Sequence, residues 1–293
     1  MNKAALSHAI TRNIVFVSGK GGVGKTTVSQ ALAAFLADGG KKTLWVAFED
    51  PFLPSGEVIQ KRRNLSWLNC KATTAFQEYV GLKIGIPSLT KLFLKNSLIR
   101  YMAEAAPGIH ELVLLGKIWH ERKNYDHVIC DMPSTGYGLA MFHSTRNFAR
   151  LFRGGPIHRD AEEMMETFSD ATLSGHLIVS LPEEMPLRES IELRDFIFEL
   201  FPKNAPAFLV NRCLPVDLAT DDLPRPDEWP SPVPSGPIDY LKKRRRLETH
   251  NLRLWESAGI QYESLPYLPP PLDETTDAIT ALLARRFAEW GWR

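Results

Sequence analysis

Residues 17–51 read "VSGKGGVGKTTVSQALAAFLADGGKKTLWVAFEDP". Gly19, Gly24, Lys25 and Thr26 stand at the spacing of a loop that closes around phosphate, G-x-x-x-x-G-K-T. The flanks agree with that reading: the apolar run IVFVS at 14–18 precedes the loop, and a helical pattern over 26–37 follows it. Glycines let backbone amides converge on phosphate oxygens. The N-terminus of the next helix adds the positive end of its dipole. Gly21, Gly22, Val23, Gly24, Lys25, Thr26 and Thr27 are therefore the expected contacts of ATP or ADP. Lys25 is expected to reach the β- and γ-phosphates and the Thr26 hydroxyl to ligate Mg²⁺. The unusual element is a second lysine, Lys20, just inside the loop.

Working outward, short apolar runs at 43–48, 127–130, 176–180, 207–210 and 262–265 read as buried parallel strands. Helical patterns at 109–122, 187–200, 240–257 and 273–290 lie between them. Strands alternating with helices predict an α/β fold, a doubly wound and mostly parallel sheet, in one domain over 1–293. Roughly eighty residues separate the second strand from His127, too many for a plain crossover. A helical subdomain on one side of the sheet, approximately 72–122 and 139–170, is the expected content. The proline-dense stretch 214–237 is expected to be a surface loop.

Composition narrows the function classes. The net charge is +1, so no global field points to nucleic acid or to a membrane surface. The run KKRRR at 242–246 reads as the solvated face of a helix, and no nucleic-acid partner is expected. Cys70, Cys130 and Cys213 are odd in number and far apart, which fits neither a disulfide framework nor a paired-cysteine zinc site. The first residues lack the apolar core of a secretory signal, and no run is long enough to span a bilayer. A cytoplasmic protein is the expectation.

The stretch KGGVGKTT resembles the deviant Walker A motif of the P-loop family that includes ParA, MinD, the nitrogenase iron protein and the ArsA-type ATPases. In that family the early lysine crosses a dimer interface to the other subunit's nucleotide, and Lys20 is the matching residue. Three further stretches narrow the branch. Glu49-Asp50-Pro51 resembles the switch I of ArsA-type ATPases and of the eukaryotic ATPase that targets tail-anchored membrane proteins. By that resemblance Asp50 orients the attacking water. HVICDMPSTGYG resembles switch II, with Asp131 contacting the Mg²⁺ shell; both Asp50 and Asp131 reach the ion through bound water. Here the proline comes one place early and Tyr137 replaces the usual His. APGIHELVLLGKIW and SLPEEMPLRESIEL resemble segments of bacterial ArsA-like proteins, offer no obvious chemical group, and read as coupling elements. Asn211 matches the family's adenine-pairing Asn, and Pro266 and Tyr267 match the loop over the adenine ring.

The resemblance, from about residue 14 to 287, implies a Mg²⁺-dependent ATPase acting as a dimeric switch, with catalytic Lys20, Lys25 and Asp50. The chain holds one phosphate loop, so it would pair with itself or with a homologous ArsA-like chain. A hydrophobic helix or membrane-protein client is the implied partner. A positioning ATPase of the ParA/MinD kind is the alternative, and an arsenite-pump subunit the lesser one, since no trigonal thiolate site is visible. Leu92, Phe93, Leu94, Leu98 and Met102, then Met141, Phe142, Phe148, Leu151, Phe152, Met164 and Met165, supply apolar faces that read either as core or as a client surface. At the C-terminus, Ile279, Leu282, Leu283 and Phe287 recur at helical spacing. They predict a helix packed on the sandwich, with Trp290 and Trp292 closing its end, rather than a membrane-surface helix.

Overall fold

The computed structural model describes residues 3–54, 56–85, 108–151, 154–214, 235–268 and 276–290. Its strands are β1 (Ile14–Ser18), β2 (Thr43–Phe48), β3 (Ile59–Arg62), β4 (Leu65–Cys70), β5 (His127–Asp131), β6 (Ser174–Ser180), β7 (Ala207–Cys213) and β8 (Tyr262–Pro266). They form one 8-stranded sheet in the order β3-β4-β2-β5-β1-β6-β7-β8. Every pairing is parallel except the edge pair β3–β4, which is antiparallel.

Successive side chains of a strand face opposite ways, so a strand covered on both sides is apolar throughout. β1 obeys this: Ile14 and Phe16 enter one buried cluster, Val15 and Val17 the other. β2 divides likewise, with Leu44 and Val46 on one side and Trp45 and Ala47 on the other. The second face is covered by α1 (Lys3–Ile10), α2 (Lys25–Asp38) and α9 (Thr276–Glu289). The first is covered by α3 (Ala72–Ile84), α4 (Ile109–Glu121), α5 (Thr135–Leu151), α6 (Pro156–Ser169), α7 (Glu184–Leu200) and α8 (Ser235–Ser257).

The doubly wound, mostly parallel sheet expected from the sequence is therefore present. Each expected strand is found, and four of them run further: β5 to Asp131, β6 from Ser174, β7 to Cys213 and β8 to Pro266. Two elements had no expectation, α1 and the β3–β4 hairpin. The hairpin turns at Arg63 and Asn64, where Asn64 has φ 64, a conformation its short amide side chain tolerates. Residues 235–237 of the loop expected over 214–237 lie in α8 instead. Pro237 is the third residue of α8, in the first turn, where a missing N–H costs no helical hydrogen bond; residues 215–234 lie outside the described set.

Met141, Phe142, Phe148, Met164 and Phe168 belong to the buried cluster on the sheet, so these apolar faces of α5 and α6 are core. Leu151 is exposed. Leu92, Phe93, Leu94, Leu98, Met102 and Phe152 lie outside the described residues. At the C-terminus α9 packs on α2 as expected. Leu283 and Phe287 are buried, and Phe287 lies against Phe35 and Trp290, with ring centroids 6.2 and 5.5 Å away. Leu282 faces solvent, and Trp292 lies outside the described residues. No helix among the described residues is long and apolar enough to cross a membrane.

Candidate nucleotide site

The carboxyl ends of β1, β2, β5, β7 and β8 open onto one edge of the sheet, where ligands of parallel α/β sheets sit. The phosphate loop leaves β1 beside β6. Gly19 has φ 147, and a Cβ there would stand 2.2 Å from the Val179 carbonyl oxygen, so only glycine passes. Gly24 has φ 92, and a Cβ there would meet Asn211 Nδ2 at 2.5 Å. Lys25, the first residue of α2, is buried, and its Nζ donates to the Lys20 carbonyl oxygen at 2.9 Å. Burial lowers its pKa, and the nearby Asp131 carboxylate opposes that shift.

Thr26 and Asp131 are brought together as the motifs require. The Thr26 hydroxyl donates to Asp131 Oδ2 at 2.6 Å. Burial pushes the Asp131 carboxyl up to about 6, against the hydrogen bond from Thr26 and the charge of Lys25; Asp50 raises it further. The other oxygen, Asp131 Oδ1, is buried with no hydrogen-bond partner among the described residues. An orphaned carboxylate oxygen beside a threonine hydroxyl is a hard donor set that suits Mg²⁺.

Asp50 lies just past the end of β2, on a loop rather than in the strand. Its Oδ1 accepts from Phe52 N at 2.8 Å, a turn closed by its own side chain. Asn69 grips the same residue from β4: Oδ1 accepts from Asp50 N at 3.1 Å, and Nδ2 donates to Asp50 O at 2.7 Å and Leu53 O at 3.0 Å. In the single chain Lys20 is not free. Its Nζ pairs with Glu189 Oε1 of α7 at 2.6 Å. The SLPEEMPLRESIEL stretch thus supplies a chemical group after all.

The expected base contacts also gather. Gly24, Thr27, Asn211, Pro266, Tyr267 and Leu283 are among the residues lining a cavity of about 350 Å³. Asn211 is already engaged: Nδ2 donates to the Val23 carbonyl of the phosphate loop at 2.9 Å, and Oδ1 accepts from Arg212 N at 2.9 Å. Tyr267 carries the Arg244 guanidinium over its ring at 5.2 Å. One arginine of the KKRRR run therefore touches the site, although sequence reading gave that run only to solvent. Tyr137 is partly exposed in the first turn of α5, and its N–H donates to Ser134 O at 3.0 Å.

Sequence reasoning missed Glu189, Asn69 and Arg244. For Asn69 a signal existed, because the short, mostly apolar LSWLNC run could have been read as a buried strand with an amide near its end.

A parallel sheet with a glycine-rich loop between β1 and α2, a buried loop lysine and a Thr–Asp pair at its mouth defines a P-loop ATPase. The comparisons agree. Residues 12–154 match the model of the anion-transporting ATPase family. The chain is 28% identical to the ATPase BagA of Mycobacterium tuberculosis over 277 residues, 86% of this chain and 78% of that protein. It is 26% identical to the ATPase ASNA1 homolog of Entamoeba dispar over 268 residues, 74% of this chain and 82% of that one. The septum site-determining protein MinD of Buchnera aphidicola is 32% identical over 145 residues, 45% of this chain and 50% of that protein. Within the P-loop class these similarities support an ArsA-like ATPase.

Proposed function

We propose that the protein is a Mg²⁺-dependent ATPase working as a nucleotide-driven dimeric switch that handles a hydrophobic or membrane-protein client or partner. The observation that carries the chemistry is Asp131: a buried carboxylate with one oxygen on Thr26 and the other unpartnered, beside the Lys25 ammonium. Mg²⁺, when bound, supplies positive charge against the phosphate oxygens. Thr26 and Asp131 would hold that ion, with Asp50 helping to hold its shell. Lys25 binds the β- and γ-phosphates. Asp50 orients the attacking water and Lys20 acts on the neighbouring subunit's γ-phosphate, as an arginine finger does in trans. Asn211, Pro266 and Tyr267 hold the base. The helices α3 to α6 form the helical subdomain, the part closest to a client.

Two observations weigh against the other readings. A positioning ATPase of the MinD kind would present an amphipathic helix to a membrane, whereas Leu283 and Phe287 bury α9 on α2. A metalloid site needs thiolates, whereas burial pushes the Cys70 and Cys213 thiols up to about 12 and Cys130 well above its ordinary value. Mixing Lys20→Ala with Asp50→Asn chains tests the trans role. A heterodimer then keeps one site with an intact Asp50 facing an intact neighbouring Lys20, so part of the turnover returns. No return where heterodimers demonstrably form contradicts the trans arrangement. Capture of membrane-protein segments by Asp50→Asn in ATP, and not in ADP, tests the client.

A further inference from the structure

Two residues outside the phosphate loop tie the Asp50 loop to the helical layer. Glu49, between β2 and Asp50, is not glycine yet has φ 52, in the left-handed region that costs a side-chain-bearing residue energy. That turn sends its side chain to α3: Glu49 Oε1 accepts from Ala72 N, the first amide of the helix, at 2.7 Å. The residue at the N-cap of α3, Lys71, makes no side-chain cap hydrogen bond. The carboxylate of Glu49 therefore does the work of a missing cap, at the end of the helix where negative charge is favoured. Its backbone N–H donates to the Cys70 carbonyl at 3.0 Å. Next to Cys70, Asn69 is 3% exposed and makes the three hydrogen bonds to Asp50 and Leu53 given above. The loop returns to the same place, for Gly56 N donates to Asn69 O at 3.3 Å.

We infer that Glu49 and Asn69 are positioning residues. Asn69 sets where Asp50 stands, and Glu49 joins the Asp50 loop to α3, so that a movement of this loop on nucleotide turnover moves α3 with it. The helix is coupled in turn. Ala72 and Ala75 belong to the buried cluster that holds Leu112, Leu115 and Ile118 of α4, and α3 packs on α4, which packs on α5 and α6. A rigid helix held at its first amide is a lever between the water-orienting residue and the helical layer. This inference rests on the role of Asp50 proposed above.

The experiment uses the full chain and three readouts: MgATP affinity by calorimetry, kcat, and hydrogen exchange at the first-turn amides of α3 with and without MgATP. Asp50→Asn comes first. Retained binding with lost turnover upholds the role of Asp50; wild-type turnover overturns that role and this inference together. Given the first result, Glu49→Ala is expected to bind MgATP as the wild type does and to lose kcat by about tenfold to a hundredfold. The response of the α3 amides to MgATP should vanish. Glu49→Gln keeps an acceptor for Ala72 N and is expected to restore most of both. Asn69→Ala is expected to lower kcat without changing affinity; if it does not fold, the Glu49 pair decides. Glu49→Ala with wild-type kcat and an unchanged α3 response, beside a dead Asp50→Asn, overturns the inference and leaves the reading of Asp50 standing.

Discussion

Glu189→Gln should make nucleotide-driven dimers tighter. In the single chain Lys20 spends its charge on Glu189, with the two side chains 37% and 31% exposed. For the trans role proposed for Lys20, that pair must break before its Nζ reaches a neighbouring γ-phosphate. A partly exposed, solvent-screened pair stabilises by about 0.2–1 kcal/mol. A symmetric dimer breaks two, so the opposing term is about 0.4–2 kcal/mol, roughly twofold to thirtyfold in the dissociation constant. The variant removes the negative charge, keeps the shape and leaves Lys20 unpaired. Sedimentation velocity across a concentration series, in MgATP and on an Asp50→Asn background that prevents turnover, reads the change. The gain should shrink at high salt as the pair is screened. Unchanged or weaker dimerisation in the variant refutes the reasoning, because Glu189 would then hold no competing claim on Lys20 or would itself contribute to the interface.

Other outcomes follow from the core. His176 lies stacked between Phe16 and Phe201, and burial holds its pKa down at about 4 despite the Phe168 carbonyl beside it. The unfolded histidine titrates near 6.5, so between about pH 6.5 and 4 the unfolded chain binds a proton that the folded one refuses, and stability falls with pH. From pH 7 to pH 5 this residue should cost about 2 kcal/mol. Denaturant titrations should show His176→Phe losing less stability than the wild type over that interval; equal losses contradict the assignment. Phe287→Ala should destabilise by about 3–5 kcal/mol as a large side chain leaves a closed core. It should also leave association with anionic liposomes negligible. A variant of unchanged stability would mean that α9 is not packed on α2.

Much of this was legible because a strand buried on both faces must be apolar throughout. Ile14–Ser18 and Thr43–Phe48 stand out for that reason, and both are found at the expected boundaries. The phosphate loop was legible because its glycines answer to fixed obstacles, Val179 O and Asn211 Nδ2. The β3–β4 hairpin was not, because β3 is an exposed edge strand reading IQKR, with no apolar period to mark it. Glu189 and Arg244 escaped for a different reason. Each acts through a partner distant in sequence, 169 positions away for Lys20–Glu189, and residue type alone does not name that partner. Pro237 misled because proline density was read as loop throughout, whereas the first turn of a helix accepts it.

The most direct measurement is calorimetric titration of ATP, with and without Mg²⁺, into the wild type and into Lys25→Ala, with phosphate release followed on the same samples. The account predicts that the wild type binds ATP, tightens with Mg²⁺ and releases phosphate slowly. Lys25→Ala should retain its fold and lose binding. A wild-type protein that shows no heat of ATP binding and releases no phosphate would contradict it.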